Sequence, residues 1–341
     1  MSERADMISA VPTNIITGFL GVGKTSTIMH LLKSKPSHER WAILVNEFGE
    51  IGVDGSLFEG QRPKDGKIFI REVPGGCMCC AAGLPMQIAL NQLLARAKPD
   101  RLLVEPTGLG HPIEVLEVLQ AEYYCTALAI EKIITLVDAR NLTNARYTEH
   151  STFNQQIAIA DVVVGNKQDL YEPEDKARLE HYANSKSQSQ VEVIFTEQGQ
   201  LSLASLEGPT ATFAQPHQHQ QQHDHASDSN PQNLANLPIP EVGYLKAINQ
   251  GEGFHSVGWR FDADKIFNRE AVFLFLSGII AERVKAVFIT QSGIFGYNIT
   301  PDSLTEMELD DCFESRIDII ANETCDKWDE QLLACIETAE Q

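Results

Sequence analysis

Gly18-Phe19-Leu20-Gly21-Val22-Gly23-Lys24-Thr25 has the spacing G-x-x-x-x-G-K-[ST], set between an apolar run and a helical pattern. Glycines let successive backbone N–H groups wrap phosphate oxygens, and the helix that follows adds the positive end of its dipole. The spacing makes Gly18, Gly21, Gly23, Lys24, Thr25 and Ser26 the phosphate-binding candidates. Lys24 is expected to reach the β- and γ-phosphates and Thr25 to offer its hydroxyl to Mg²⁺.

Outward from this loop, strand-like and helix-like segments alternate over the first 200 residues. Apolar, β-branched runs fall at 14–17, 41–45, 68–73, 102–105, 133–138, 161–165 and 191–195, with helical patterns at 24–33, 84–97, 112–120 and 173–182. The alternation predicts an α/β fold of the P-loop NTPase type, a mostly parallel sheet flanked by helices, over residues 1–206. Residues 207–240 are rich in Pro, Gln and His and read as a flexible linker. Residues 241–341 read as a smaller α+β domain. Extended chain is expected at 244–261, helices at 264–281 and 324–337, and strands at 284–291 and 316–321.

The 341 residues carry 27 Lys and Arg against 47 Asp and Glu, a formal net charge of −20. Residues 241–341 alone hold 19 acidic and 8 basic residues, net −11. A phosphate backbone or an anionic membrane needs a basic footprint, so neither nucleic acid nor a membrane is expected as a partner. The apolar stretch 15–22 is broken by glycines and runs into Lys24, unlike a secretory signal, and the run 271–281 is too short to span a bilayer. The protein is therefore expected to be cytoplasmic, where disulfides are rare.

Two further segments point to a particular nucleotide. Arg101-Leu-Leu-Val-Glu105-Pro-Thr-Gly108 is an apolar strand ending in an acid. Glu105 is expected to hold Mg²⁺ through water, and the Gly108 N–H to sense the γ-phosphate. Asn166-Lys167-Gln168-Asp169 follows another strand. There the Asp169 carboxylate would accept from N1–H and the 2-amino group of guanine, whereas adenine would leave it unpaired. Residues 196–199 could supply a last base-contacting loop.

Of seven cysteines, Cys125, Cys312, Cys325 and Cys335 are scattered and read as small core or surface residues. Gly76-Cys77-Met78-Cys79-Cys80 clusters three thiols within four residues, which suits Zn²⁺, Co²⁺ or Cu⁺. A fourth ligand could be water, Glu47, Glu50, a histidine or a client protein; the competing readings are a redox pair or a catalytic thiol. The run 217–225 holds four histidines and reads equally as a weak metal-binding tract or a solvated linker. His111 reads as a helix-entry residue.

Together these motifs resemble the CobW family: 17–25, Asn46-Glu47-Phe48-Gly49 with Asp54, the C-x-C-C segment, Glu105-Pro-Thr-Gly-Leu109 and Asn166–Asp169, in the family's order over residues 13–200. These are P-loop GTPases thought to act as metal chaperones. The resemblance implies GTP, Mg²⁺ and a cargo of Zn²⁺ or Co²⁺ at Cys77, Cys79 and Cys80. It implies a first switch at 46–54, with Asp54 orienting the attacking water or the Mg²⁺ shell. Many relatives have Glu before Asn-Glu-Phe-Gly; here it is Val45, which removes one accessory ligand. The expected partner is a client metalloprotein, with a homodimer left open.

The cysteine segment lies between the two switches, so GTP and metal are expected to tighten each other's binding by one factor. Lys24, Asp54, Glu105 and Gly108 are the residues expected to act on the γ-phosphate. No arginine finger is evident in cis, so slow intrinsic hydrolysis is expected. The competing function is a GTP-switch regulator or assembly factor with a structural zinc.

Overall fold

The computed structural model describes residues 8–45, 67–73, 84–187, 191–212, 238–251, 253–309 and 312–337. Glu47, Glu50, Asp54, Cys77, Cys79, Cys80 and the histidine run lie outside them. The chain divides into two compact units, whose described residues are 8–212 and 238–337.

The first unit is an α/β sheet of eight strands: β1 (Val11–Gly18), β2 (Trp41–Val45), β3 (Ile68–Glu72), β4 (Arg101–Glu105), β5 (Leu128–Ile130), β6 (Ile134–Val137), β7 (Val162–Gly165) and β8 (Glu192–Phe195). Their order is β3-β2-β4-β1-β6-β7-β8, with β5 also beside β1, and every pairing is parallel. Parallel strands are covered on both faces and so read as continuous apolar runs. Val162-Val-Val-Gly165 and Trp41-Ala-Ile-Leu-Val45 are buried throughout. The helices are α1 (Lys24–Ser34), α2 (Leu84–Ala97), α3 (Pro112–Leu119), α4 (Ala145–Thr148), α5 (Ser151–Ala158) and α6 (Pro173–Lys186). α3 and α6 each start with Pro at the first turn, where its missing N–H costs nothing. α6 adds a reciprocal cap between Glu172 and Asp175. The sequence signal missed α4, α5 and β5, which are short, and α5 mixes Gln and Asn with its apolar residues.

From β1 the chain moves to β2 and β3 on one side, returns to β4 beside β1, and then builds β6, β7 and β8 on the other. β1 thus sits at the switch point, and ligands in open parallel sheets bind outside the carboxyl ends of the strands there.

The second unit is a six-stranded antiparallel sheet, β9 (Tyr244–Gly251), β10 (Phe254–Phe261), β11 (Arg283–Thr290), β12 (Gly293–Thr300), β13 (Ser303–Leu309) and β14 (Ser315–Ala321), ordered β13-β12-β11-β14-β10-β9. α7 (Arg269–Ser277) and α8 (Trp328–Leu333) share a core with it around Trp259, Phe261, Phe267, Phe288 and Tyr297. The extended chain at 244–261 is a hairpin, β9 on β10. The helix expected at 264–281 is shorter. Residues 263–264 form a turn, Phe267 bridges to Thr290 and Ile336, and Asn268 caps α7 by accepting from Ala271 N at 2.9 Å, so the helix starts only at Arg269. The helix expected at 324–337 likewise shrinks to α8. β12 and β13 gave no clear apolar signal, since glycines and polar residues interrupt them; their register pairs Tyr297 with Glu306. The Glu306 carboxylate takes two donors: Tyr297 Oη donates to its Oε1 at 2.7 Å, and Arg269 from α7 donates to both its oxygens.

Candidate functional site

Five loops leave the carboxyl ends of β1, β4, β6, β7 and β8. The loop after β1 needs its glycines. Gly18, Gly21 and Gly23 all have positive φ, at 140°, 68° and 98°. A Cβ on Gly23 would stand 2.5 Å from Asn166 Nδ2. Only a residue without Cβ adopts such backbone cheaply. The Lys24 ammonium, buried, donates to the carbonyls of Gly18 at 2.8 Å and Phe19 at 3.1 Å. Phe19 itself is buried in an aromatic cluster, with Tyr147, His150 and Phe153 edge-on to its ring at 5.4, 4.9 and 5.9 Å. The short helices α4 and α5, unseen in the sequence, supply Tyr147 and Phe153 to that cluster.

The second loop follows β4. Thr25 Oγ1 donates to Glu105 Oε1 at 3.1 Å, so the hydroxyl and the acid read from separate motifs meet. Gly108 lies hard against the phosphate loop: a Cβ there would meet Leu20 N at 2.9 Å and Lys24 Nζ at 3.1 Å. Its carbonyl accepts from Gln156 Nε2 at 3.0 Å, a buried α5 side chain that the sequence did not single out. His111 stands at the N-cap position of α3, and its Nδ1 lies 3.2 Å from Gln155 Oε1.

The remaining loops converge on Asn166. Its Nδ2 donates to Val22 O at 2.8 Å, and its Oδ1 accepts from Gly199 N at 3.1 Å. The phosphate loop, the Asn166–Asp169 turn and the 196–199 loop are thereby joined through one buried amide. Lys167 takes a left-handed φ of 62°, and its ammonium is 3.7 Å from Asp138 Oδ2. Asp138, at the end of β6, also receives Arg140 on both oxygens. Asp169 sits exposed in a single 3₁₀ turn, Gln168–Leu170, and Ser26 is half-buried on α1. Asp138, Gln156 and Tyr171 border these loops and no motif flagged them: Asp138 directly follows β6, Gln156 is on α5, and Tyr171 follows the 3₁₀ turn Gln168–Leu170.

A family model of the CobW/HypB/UreG nucleotide-binding domain matches residues 12–200. The chain belongs to that family. All five loops lie within the CobW/HypB/UreG domain so matched. A relative named zinc chaperone YeiR, from Escherichia coli (strain K12), is 38% identical over 318 residues, covering 92% of this chain and 94% of that protein. A second, named zinc chaperone CobW, from Pseudomonas aeruginosa, is 29% identical over 232 residues, 60% of this chain and 61% of its own. Among solved structures, the Zn(II)-bound YjiA GTPase from E. coli matches at 17% identity over 96% of this chain and 99% of that one, with a TM-score of 0.44.

Among the described residues, no three His, Cys, Asp or Glu side chains group as a metal site, and no helix is long and apolar enough to cross a membrane.

Proposed function

We propose that this chain is a GTP-hydrolysing zinc chaperone, which takes Zn²⁺ at Cys77, Cys79 and Cys80, with Glu47 as a further ligand, and yields it to a client metalloprotein. The zinc is cargo. Two relatives carry the name zinc chaperone, and the first of them aligns over nearly the whole chain. Three thiolates and a carboxylate suit Zn²⁺, and Co²⁺ would satisfy the same donors.

The observation that carries the coupling is the level of three strand ends. Val45, the last residue of β2, is in register with Glu105 of β4 and with Glu72 of β3. Val73 N donates to Val45 O at 2.9 Å. Neighbouring strands stand about 4.8 Å apart, so the acid of the nucleotide site and the exits toward Glu47 and Cys77 lie within roughly 10 Å. Glu47 is two residues beyond Val45 and Cys77 four beyond Val73, so chain reach of about 3.5 Å per residue lets both meet beside Glu105.

Thr25 and Glu105 are hard oxygen donors that fit Mg²⁺, which when bound would neutralise charge on the β- and γ-phosphates. Lys24 holds the phosphates, and Gly108 lies where a backbone N–H can follow the γ-phosphate. Asp169 selects guanine, because its carboxylate finds two donors on that base and none at adenine N1. Asp54 orients the attacking water. Hydrolysis removes the γ-phosphate, releases the loops that it ordered and loosens the thiol site.

Phosphate release from GTP, followed in Mg²⁺ with and without Zn²⁺, tests this reading. GTP should turn over, ATP should not, and Lys24→Ala should abolish the activity. Equal turnover of GTP and ATP would overturn the guanine assignment.

A further inference from the structure

Asp169 is exposed, and its place is fixed by the backbone on either side of it. The N-terminal side is held through Asn166, as described. On the C-terminal side stands Tyr171, the residue that ends the 3₁₀ turn. Its Oη lies 2.5 Å from Asn166 O and 3.3 Å from Val137 O, and it accepts from Ala139 N at 3.0 Å. One phenol hydroxyl therefore ties the two ends of the turn together and fastens both to the loop after β6. That loop contains Asp138, the partner of the Lys167 ammonium. The carbonyl it grips is the one immediately before Lys167, whose left-handed φ of 62° costs on the order of 1 kcal/mol or more and needs surrounding contacts to persist. The ring meets Phe195 edge-on at 6.4 Å. Burial raises the phenol's pKa well above its ordinary value, so it stays a proton donor at any working pH.

We propose that Tyr171 is a positioning residue for base selection: its hydroxyl, bridging Asn166 O and Ala139 N, clamps the 3₁₀ turn so that the Asp169 carboxylate meets both donors on guanine. This rests on the guanine-nucleotide reading above and adds to it a residue outside the Asn-Lys-x-Asp motif. The hydroxyl's partners given above lie in the turn and in the loop after β6, and the phosphate loop is reached one step further on, through the Asn166 side chain, so the larger effect falls on the base.

The test is calorimetric titration of the full chain with GDP, IDP and ADP, and with pyrophosphate, all in Mg²⁺. IDP lacks the 2-amino group, so the GDP-to-IDP affinity ratio reads how well Asp169 is aimed. Tyr171→Phe keeps the ring and removes the hydroxyl. It should weaken GDP about tenfold, as expected for one lost well-placed hydrogen bond, and shrink the GDP-to-IDP ratio severalfold. Pyrophosphate binding should stay within about twofold. Phe195→Leu disturbs the ring's packing and spares the hydroxyl; it should lower the melting temperature and leave the ratio unchanged. A Tyr171→Phe protein that melts earlier with an unaltered ratio makes the residue merely structural and overturns the proposal. So does a Phe195→Leu protein that loses the ratio equally. A wild-type chain that binds GDP no better than ADP overturns the guanine reading itself, which separates the two failures.

Discussion

The side-chain amide of Asn166 donates to the carbonyl of Val22 at 2.8 Å, across 144 residues of sequence. The loop after β1 and the turn Asn166–Asp169 are therefore joined directly. Asn166 is buried and also accepts from Gly199 N, so replacing it by Ala strands two backbone groups. Each buried unsatisfied group costs about 1–3 kcal/mol. Asn166→Ala should weaken GDP binding by at least tenfold and lower the melting temperature of the first unit, measured by nucleotide fluorescence and calorimetry on one preparation. Unchanged affinity would mean that the two loops act separately.

Gly23→Ala attacks the same junction from the other side. The added methyl would meet Asn166 Nδ2 at 2.5 Å, at a φ of 98° that L-residues avoid. Nucleotide binding should fall below detection, while thermal unfolding of the second unit stays where it was. Binding within a few-fold of wild type would show that the loop can open without cost.

Gln156 holds the carbonyl of Gly108 from α5. Gln156→Met keeps the volume and removes the donor. In the proposed mechanism Gly108 follows the γ-phosphate, which GDP lacks, so single-turnover hydrolysis of GTP should slow about tenfold with GDP affinity little changed. A parallel loss of GDP affinity would assign Gln156 to the phosphate loop's folding and not to its response.

In the second unit, Arg260 and Glu314 form a largely buried pair, with Nε to Oε1 at 2.6 Å, and Arg316 approaches the same oxygen at 2.7 Å. Burial pushes the Glu314 pKa up, but the hydrogen bond from Arg260 and the charge of Arg316 outweigh it, leaving the carboxyl below its ordinary 4.5. A carboxyl with a lowered folded pKa stabilises fully above its unfolded pKa and loses that contribution as pH falls through the folded value. Glu314→Gln should therefore cost about 1–3 kcal/mol at pH 7, with the gap closing as pH drops below about 4. Urea unfolding of both proteins from pH 7 to pH 3 reads it. A gap independent of pH would mean that the cost is packing alone.

Much of this was legible in the residues. Gly18–Thr25, Glu105 and Asn166–Asp169 each stand at the end of an apolar strand, and parallel strands announce themselves as continuous buried runs such as Val162–Gly165. What bound the motifs together was not legible. Gln156 and Tyr171 work through backbone carbonyls, which any donor could satisfy, so nothing in their spacing marks them. Antiparallel β12 and β13 hid for a different reason: Tyr297 and Glu306 pair across strands, a relation that no local period records. Asp264–Phe267 looked helical by composition, and the bridges of Phe267 to Thr290 and Ile336 overrode it.

The central claim is that GTP gates a zinc site exiting beside Glu105. It is tested most directly by titrating Zn²⁺ into reduced, metal-free protein with Mg²⁺, with and without a non-hydrolysable GTP analogue, and repeating this with Cys79→Ser and Thr25→Ala. The account predicts that the analogue tightens Zn²⁺ binding at least tenfold, that Cys79→Ser loses the tight site, and that Thr25→Ala keeps Zn²⁺ but loses the enhancement. Zn²⁺ held equally tightly with and without nucleotide would contradict it and make the metal structural.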